Sequence, residues 1–242
     1  MTTTSLDTFL DQQRRLNSRR RPILHPLMRL LMIPLTEWYA EGVENVPESG
    51  ATMLLGNHIS ILDPLWITAA NRNRFVISMA KSEMLDNTFQ SIILRTWGNF
   101  VVNRDVVDRE ALKRAIGLLE DEQLLWIAAE GTRNPDGMQE PKNGAAYIAH
   151  KTDAVVVPTV MCGAQDWKQR WKSWNRAYAK VVFGKPFRFH LPEGERLSRD
   201  VRDKMVQEAM YQIALTTPED FAFQRGIYSD LSKATTDYIQ FV

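Results

Sequence analysis

The sequence predicts an α/β fold in which a largely parallel or mixed central sheet is flanked by helices and preceded by an N-terminal helical hairpin. After Gly50, short aliphatic and β-branched runs alternate with helical stretches, a pattern typical of parallel sheets. Before Gly42 the pattern is helical. The chain has 242 residues, 44% of them hydrophobic, which is enough for one complete core.

A turn-rich stretch, GVENVPESG at 42–50, marks the predicted boundary between an N-terminal helical segment, residues 1–43, and an α/β domain, residues 44–242. The predicted strands of this domain are 51–56, 75–80, 99–103, 124–129, 154–161 and 179–183. We expect the ends of the parallel strands to share one edge of the sheet.

Three polar residues predict where helices begin. Asp63 is an expected N-cap because Pro64 follows it at the first helical position. Asp105 precedes a second helix, with Asp108 in its first turn, and Ser198 caps a third that runs towards Leu215.

Composition and charge exclude several classes of protein. A formal net charge of +1 argues against nucleic acid as a partner. The lone Cys162 excludes an internal disulfide framework and a multi-cysteine zinc site, and it fits a reducing compartment. The N-terminus carries Asp7 and Asp11 and lacks an apolar stretch of signal-peptide length, so we expect a cytoplasmic protein.

Residues 22–40 are the most apolar segment, but His25, Arg29, Glu37 and three prolines make a simple transmembrane helix improbable. Five arginines lie just before or at its start: Arg14, Arg15, Arg19, Arg20 and Arg21. Arginines beside an apolar segment suit an anchor on an anionic membrane surface. A hairpin packed on the body with solvated arginines remains the alternative.

A second stretch, DWKQRWKSWNRAY at 166–178, is rich in tryptophan and basic residues. Read as a helix, it places Trp167, Trp171, Trp174 and Tyr178 on one face. That face would lie either in a lipid headgroup region or against the core.

The residues with the clearest chemistry are His58 and Asp63, which follow the strand predicted at 51–56. Five residues apart in one helix, they would point away from each other. In a strand-to-helix turn, the aspartate can fold back and accept a hydrogen bond from one imidazole nitrogen. The other nitrogen can then take a proton from a substrate hydroxyl, as a general base does.

Other predicted strands also end in polar residues suited to a ligand site. Lys81 follows the second, Arg104 follows the third, and the fourth runs into Glu130, Gly131, Thr132 and Arg133. Arginine forks match phosphate oxygens, so Arg104 and Arg133 form a candidate phosphate pocket.

These residues lie in ordered motifs that resemble those of the glycerolipid acyltransferase family. NHISILD (57–63) is similar to the family's NHxSxxD block, and GNFVVNR (98–104) to its second block. EGTR (130–133) matches the third block, VVVPTV (155–160) is similar to the fourth, and AKSEM (80–84) resembles a Lys-x-Glu-Leu element. The resemblance covers roughly residues 50 to 165.

The resemblance implies that 44–242 is an acyltransferase domain and 1–43 a membrane-association segment. It implies His58 as general base, Asp63 as its orienter, and substrate binding by Asn57, Lys81, Arg104, Glu130, Gly131, Thr132 and Arg133. The resemblance implies neither a cofactor nor a metal in the chemistry. The donor substrate would be acyl-CoA or acyl-acyl-carrier-protein, and the acceptor a lysophospholipid, on the cytoplasmic side of the cell membrane, with the protein peripheral or monotopic.

The sequence departs from the family pattern before EGTR, where Ala128 and Ala129 replace the usual Phe-Pro. This bears on the acceptor more than on the reaction type. The expected activity is acylation of lysophosphatidic acid to phosphatidic acid in phospholipid biosynthesis. The alternatives are another lipid-alcohol acyltransferase, such as one acting on glycerol 3-phosphate, a non-catalytic lipid-binding protein of the same fold, and a thioester hydrolase.

Overall fold

A computed structural model of the chain describes residues 5–19, 21–71, 74–103 and 108–242. The α-helices within these ranges are α1 (Leu6–Arg19), α2 (Arg21–Leu35), α3 (Asp63–Ala70), α4 (Thr88–Trp97), α5 (Arg109–Glu120), α6 (Gly144–Lys151), α7 (Trp167–Lys172) and α8 (Arg199–Thr216). The strands are β1 (Thr36–Glu41), β2 (Thr52–Gly56), β3 (Val76–Lys81), β4 (Phe100–Val102), β5 (Leu124–Ala128), β6 (Val155–Cys162), β7 (Ala177–Phe183), β8 (Phe187–Phe189) and β9 (Ile239–Phe241).

The strands form one mixed sheet in the order β1-β7-β6-β2-β5-β3-β4, with β8 and β9 attached beside β6. β2 is parallel to both β5 and β6, and β3 is parallel to β5 and β4. β7 runs antiparallel to β6, and β1 is parallel to β7. The predicted fold class, including the N-terminal helical hairpin α1–α2, is confirmed.

The five parallel strands end at one side of the sheet, which we call the C-terminal edge. β2, β5, β3 and β4 end there at Gly56, Ala128, Lys81 and Val102. All five residues of β2 and all eight of β6 are buried, as expected for strands covered on both faces. Continuous apolar runs therefore predicted these two strands correctly.

Helices cover both faces of the sheet. One buried cluster joins α1, α5, α6 and α8 to the sheet, and it includes an edge-to-face contact between Phe9 and Phe100 with ring centroids 5.9 Å apart. The other cluster joins α2 and α3 to the opposite face through Met28, Met32 and Trp66. The hairpin is thus packed on the body of the protein, and this packing leaves the outer face of α2 available for other contacts.

Two of the predicted helix starts need comment. Ser198 caps α8 as expected, since its Oγ accepts from the Val201 N–H at 3.2 Å. Asp108, expected in the first turn, is itself the N-cap of α5 and accepts from the N–H groups of Glu110 and Ala111. Helix α5 therefore begins later than predicted, and Asp105 lies outside the described residues.

The helical interpretation of the segment before Gly42 is wrong in its last part. Helix α2 ends at Leu35, and the next six residues form β1, which pairs in parallel with β7. Alternating burial along β1 indicates one face on the core and one towards solvent. The N-terminal segment thus supplies an edge strand to the main sheet.

The prediction of one continuous helix at 166–178 is also wrong. Helix α7 stops at Lys172, Trp174 has a positive φ of 58°, and Tyr178 belongs to β7. A left-handed residue cannot continue a right-handed helix, so the aromatic stripe is broken. Trp167 and Trp171 contact each other with ring centroids 4.8 Å apart, whereas Trp174 is 98% exposed.

Across the described ranges, no helix combines the length and the apolar composition that crossing a bilayer requires.

Candidate active site

The site begins where β2 leaves the sheet. A Cβ at Gly56 would lie 2.1 Å from the Thr159 carbonyl oxygen of β6, so only glycine allows this approach of the two strands. The next residue, Asn57, donates to the Met161 carbonyl at 3.0 Å and accepts from the Met161 N–H at 2.8 Å. Asn57 was predicted to bind substrate, but its side-chain amide is bonded to the backbone of β6.

His58 and Asp63 meet as the sequence predicts. The His58 Nδ1 lies 2.7 Å from the Asp63 Oδ2, and the aspartate is completely buried. The imidazole packs edge-to-face on Trp126 of β5, with ring centroids 5.3 Å apart. These contacts fix the orientation of the ring, and they leave Nε2 without a contact to the Asp63 carboxylate.

Asp63 holds the turn that carries His58. Its Oδ2 also accepts from the N–H groups of Ile59 at 2.8 Å and Ser60 at 3.0 Å. The predicted N-cap role is wrong, because Asp63 is the first residue of α3 and its carboxylate points back to the preceding turn instead of into the helix. The N–H groups of the turn before α3, and not those of the first turn of α3, therefore bind this carboxylate.

The loop after β5 is organised by Glu130, which is buried. Its Oε2 accepts from the Gln139 N–H at 2.8 Å and from the Asn134 side-chain amide. Burial raises the pKa of the Glu130 carboxyl, against the opposing effect of these hydrogen bonds. Within the described ranges Glu130 makes no ion pair with an arginine, so its contacts are those of a residue that shapes the loop.

The same loop is tied to the histidine. The Asn134 N–H donates to the His58 carbonyl oxygen at 2.7 Å. Gly131 has a positive φ of 71°, and Lys142 packs against it, with the Lys142 Cε 3.1 Å from where a Cβ would lie. Thr132 and Arg133 follow with exposed side chains. The predicted EGTR residues therefore lie beside the His58–Asp63 pair.

Two predicted cationic residues remain, Lys81 and Arg104, and the structure describes the first of them. Lys81 ends β3 at the C-terminal edge, where its Nζ pairs with the Glu83 carboxylate at 2.6 Å. Arg104 lies outside the described residues. The residues that flank its segment, Asn103 and Asp108, both line a cavity that His58 also lines.

This cavity, of about 210 Å³, opens beside His58 and has mainly apolar walls. Trp126 and Ala128 of β5, Met79 of β3 and Ile148 of α6 line it. Such a lining suits a hydrocarbon chain, and the His58 imidazole is one of its few polar groups.

Two lining residues have no counterpart in the sequence prediction. Lys142 follows the loop in the stretch EPKNG and brings a cation to the cavity, and Trp126 fixes the face of His58 from the middle of a strand. The only available signal for Lys142 was its position just before a helix start, and Trp126 reads as an ordinary core residue. No group of three or more His, Cys, Asp or Glu side chains among the described residues could hold a metal ion.

The α/β fold thus places a buried histidine–aspartate pair beside an apolar cavity, an arrangement suited to an enzyme that acts on an apolar substrate. A sequence model of the family described as Acyltransferase matches residues 38–162, more than half of the chain. The chain belongs to this family and is an acyltransferase.

Curated relatives and a solved structure are similar to most of the chain. The 1-acyl-sn-glycerol-3-phosphate acyltransferase of Borreliella burgdorferi is 27% identical and covers 75% of this chain and 78% of its own. The Bacillus subtilis protein of the same name is 26% identical over 64% of this chain and 78% of its own. The crystal structure of the 1-acyl-sn-glycerophosphate (LPA) acyltransferase from Thermotoga maritima shares the fold, with a TM-score of 0.59, 23% identity and coverage of 81% of this chain and 83% of that one.

Proposed function

We propose that this acyltransferase moves a fatty acyl chain from acyl-CoA or acyl-acyl-carrier-protein to the free hydroxyl of lysophosphatidic acid. The product would be phosphatidic acid, an early intermediate in phospholipid biosynthesis. The observation that carries the proposal is the His58–Asp63 hydrogen bond of 2.7 Å beside an apolar cavity. The names of the curated relatives support lysophosphatidic acid as the acceptor.

In the proposed mechanism, Asp63 accepts a hydrogen bond from the His58 Nδ1–H and so leaves Nε2 as the proton acceptor. Nε2 takes the hydroxyl proton of the acceptor while the hydroxyl oxygen attacks the thioester carbonyl carbon. The tetrahedral intermediate then expels the thiolate, which takes the proton from His58. The ester bond forms, the thioester bond breaks, and the free thiol leaves.

The acceptor phosphate would bind near the EGTR loop. Arg133 offers an exposed guanidinium there, Thr132 a hydroxyl, and the Gly131 backbone approaches closely. We propose Arg104 and Lys81 as further cationic contacts at this edge. Glu130 would act by holding the loop in shape, and Asn57 by fixing the end of β2 against β6.

The acyl chain of one substrate would occupy the cavity. Its walls come from β3, β5, α5 and α6, and His58 also lines it. This arrangement would hold the reacting carbonyl near Nε2 while keeping the hydrocarbon chain out of water, which favours productive orientation.

We further propose that residues 1–43 associate with an anionic membrane surface and that the enzyme works on the cytoplasmic side of the cell membrane, as a peripheral or monotopic protein. The outer face of α2 exposes Ile23, Leu27, Leu30 and Leu31. The predicted arginine cluster contributes only in part, because Arg14 is paired with Asp121 at 2.6 Å and Arg21 is buried. Arg15 and Arg19 are exposed.

The test is an acyl-transfer assay that follows thiol release and diacyl product together. The donor is a long-chain acyl-CoA or acyl-acyl-carrier-protein, and the assay is run with and without lysophosphatidic acid. We expect thiol release to depend on the acceptor. We expect His58→Ala to lower kcat/KM by about 10²–10⁴-fold, the usual contribution of a general base.

His150→Ala is the matched control, because this half-buried histidine of α6 does not line the cavity. It should retain wild-type activity. Release without an acceptor would indicate a hydrolase, and a clear preference for glycerol 3-phosphate would assign the other acceptor. Undiminished turnover in a folded His58→Ala protein would exclude the assigned base.

Arg133→Gln should raise the KM for lysophosphatidic acid about tenfold or more, because a charge-assisted contact to phosphate is lost. An acceptor without phosphate, 1-monoacylglycerol, serves as the comparison and should respond little. Arg196→Gln, on an exposed turn before α8, is the matched control for loss of one positive charge. An unchanged KM for the phosphorylated acceptor would contradict the role of Arg133.

A further inference from the structure

A second cavity lies at the opposite side of the sheet, the N-terminal edge, where β3 and β5 begin. It has a volume of about 810 Å³ and lies between the α1–α2 hairpin and the sheet, with Phe75 and Leu124 in its wall. Strand β5 reaches both cavities at different points, since Leu124 at its start lines this one and Trp126 and Ala128 further along line the cavity at His58. The proposed acyl transfer makes no use of it.

The charged groups that face this cavity are mostly positive. Among the described residues its lining includes the guanidinium groups of Arg21, Arg29 and Arg74, the imidazole of His25, and one carboxylate, that of Glu122. Burial lowers the pKa of His25, so this ring is neutral at pH 7. Positive groups therefore outnumber negative ones in the lining.

Several hydrogen bonds of these side chains go to uncharged oxygens. Arg29 donates to the Ala69 carbonyl oxygen at the end of α3, and the His25 Nε2 lies 2.7 Å from the Thr68 carbonyl oxygen. Arg74 donates to four oxygens, including the Glu122 carbonyl at 2.6 Å. Carbonyl oxygens satisfy the donors but cancel no net charge, so the cavity keeps its positive character.

Arg21 is the most informative of the group. It is only 2% exposed, and its terminal nitrogens donate to the Gln13 and Asn17 side chains. Its Nε has no hydrogen-bond partner among the described residues. The guanidinium lies over the Phe75 ring at 4.6 Å, and burial lowers its pKa to about 9. A buried cation without a counter-charge is costly, and an anion in the cavity would remove that cost.

We propose that this cavity binds a phosphate group at Arg21, supported by Arg29 and Arg74. A guanidinium fork matches phosphate oxygens in geometry and charge. The neighbouring face of α2 exposes Ile23, Leu27 and Leu30 at helical spacing. An anionic phospholipid could therefore place its headgroup in the cavity and its acyl chains along α2, while a soluble phosphate compound would offer the same group without the chains.

The first arm of the test measures inorganic phosphate binding to the full chain by the rise in Tm and by broadening of the ³¹P resonance. It uses the Arg133→Gln background, which removes the contact proposed for the catalytic site and makes the result independent of acyl transfer. We expect Arg21→Gln to raise the phosphate Kd at least tenfold, the effect of losing about one charge-assisted hydrogen bond. Arg15→Gln, which removes an exposed charge from α1, should change it less than twofold.

The second arm measures co-sedimentation with vesicles of phosphatidylcholine containing phosphatidylglycerol, against vesicles of phosphatidylcholine alone. A larger loss for Arg21→Gln than for Arg15→Gln on the anionic vesicles assigns a lipid headgroup. Discrimination in the first arm alone assigns a soluble phosphate compound. Arg29→Gln and Arg21→Lys are measured in both arms as well. If circular dichroism shows that Arg21→Gln is misfolded, these two variants still test the proposal.

The proposal would be overturned if Arg21→Gln, Arg29→Gln and Arg15→Gln changed the phosphate Kd equally and also changed vesicle binding equally. It would also be overturned if phosphate binding were not saturable and none of the three substitutions changed vesicle binding. Retention of binding by Arg21→Lys with loss in Arg21→Gln would support a charge at this position as the cause.

Discussion

Glu130 shows how a single carboxylate can organise the loop beside the catalytic pair. It accepts from the Gln139 backbone and from the Asn134 side chain, and the Asn134 N–H in turn donates to the His58 carbonyl oxygen. The carboxylate is buried, so its ionised form is held at a cost that the hydrogen bonds only partly offset.

This cost predicts a pH dependence of stability. Because the folded-state pKa of Glu130 is raised, its contribution is fully present below the ordinary glutamate pKa of about 4.3 and is lost as the pH rises through the folded value. We expect the free energy of unfolding of wild type minus that of Glu130→Gln to fall as the pH rises from about 4 towards 7. Urea unfolding at several pH values measures it.

The exposed Glu193 gives the control, since Glu193→Gln should leave the pH dependence as in wild type. A difference between wild type and Glu130→Gln that grows with pH would mean that the loop favours the ionised carboxylate, contrary to the burial argument.

At the residue scale, the sequence predicted which residues lie close together better than it predicted their contacts. His58 and Asp63 are close because a turn separates them, as expected. The contact of the Asp63 carboxylate with the imidazole was predicted, whereas its expected N-cap role was wrong, since a helix N-cap and a turn acceptor share the same sequence signal. Lys142 was missed because a lone lysine before a helix resembles any solvated surface residue.

At the scale of a single element, helix α2 has two faces with different surroundings. One face is packed on the core through Met28 and Met32, and the opposite face exposes Ile23, Leu27, Leu30 and Leu31. Exposed apolar residues grouped on one face are typical of an interaction surface. The turn after α7 lies near the end of this helix, because Arg176 donates to the Ile33 and Thr36 carbonyl oxygens.

We predict that the double variant Leu27→Ser/Leu30→Ser loses most of its binding to vesicles containing phosphatidylglycerol, because two apolar side chains no longer enter the interface. Each leucine contributes roughly 1.5–3 kcal/mol on full burial, so a loss of tenfold or more in the partition coefficient is expected. Co-sedimentation measures it.

Leu215→Ser is the matched control, since Leu215 of α8 is 49% exposed and Leu27 is 47% exposed. It should bind vesicles as wild type does. Equal losses in both proteins would show that α2 has no special role, and undiminished binding in the double variant would place the membrane contact elsewhere, with the exposed Trp174 as the next residue to test.

The sequence predicted six of the strands and missed β1, β8 and β9, for physical reasons. All six predicted strands are present, because buried apolar runs and alternating runs leave a clear pattern. β8 and β9 have three residues each, too few to show a period. β1 was read as helix because its residues continue an apolar segment, and its pairing with the distant β7 is a tertiary effect that no local pattern contains.

At the scale of the whole molecule, the fold class followed from alternation and length, while the division into segments is less simple than the sequence suggests. The proposed membrane-association segment, residues 1–43, ends in β1 of the common sheet and packs through Phe9 and Met28 on both clusters of the core. Substitutions on the outer face of α2 are therefore a cleaner test of membrane contact than truncation, which would open the sheet.

Helix α2 also runs the full depth of the sheet. Its first residues line the cavity at the N-terminal edge, and its last residue leads into β1, which is antiparallel to β6 and therefore starts at the C-terminal edge. Its fifteen residues, at a rise of 1.5 Å each, give a helix of about 22 Å that extends from one edge of the sheet to the other. A flat lipid layer that touches the outer side of α2 would therefore run alongside the strands and bring both edges of the sheet to a similar distance from the lipid.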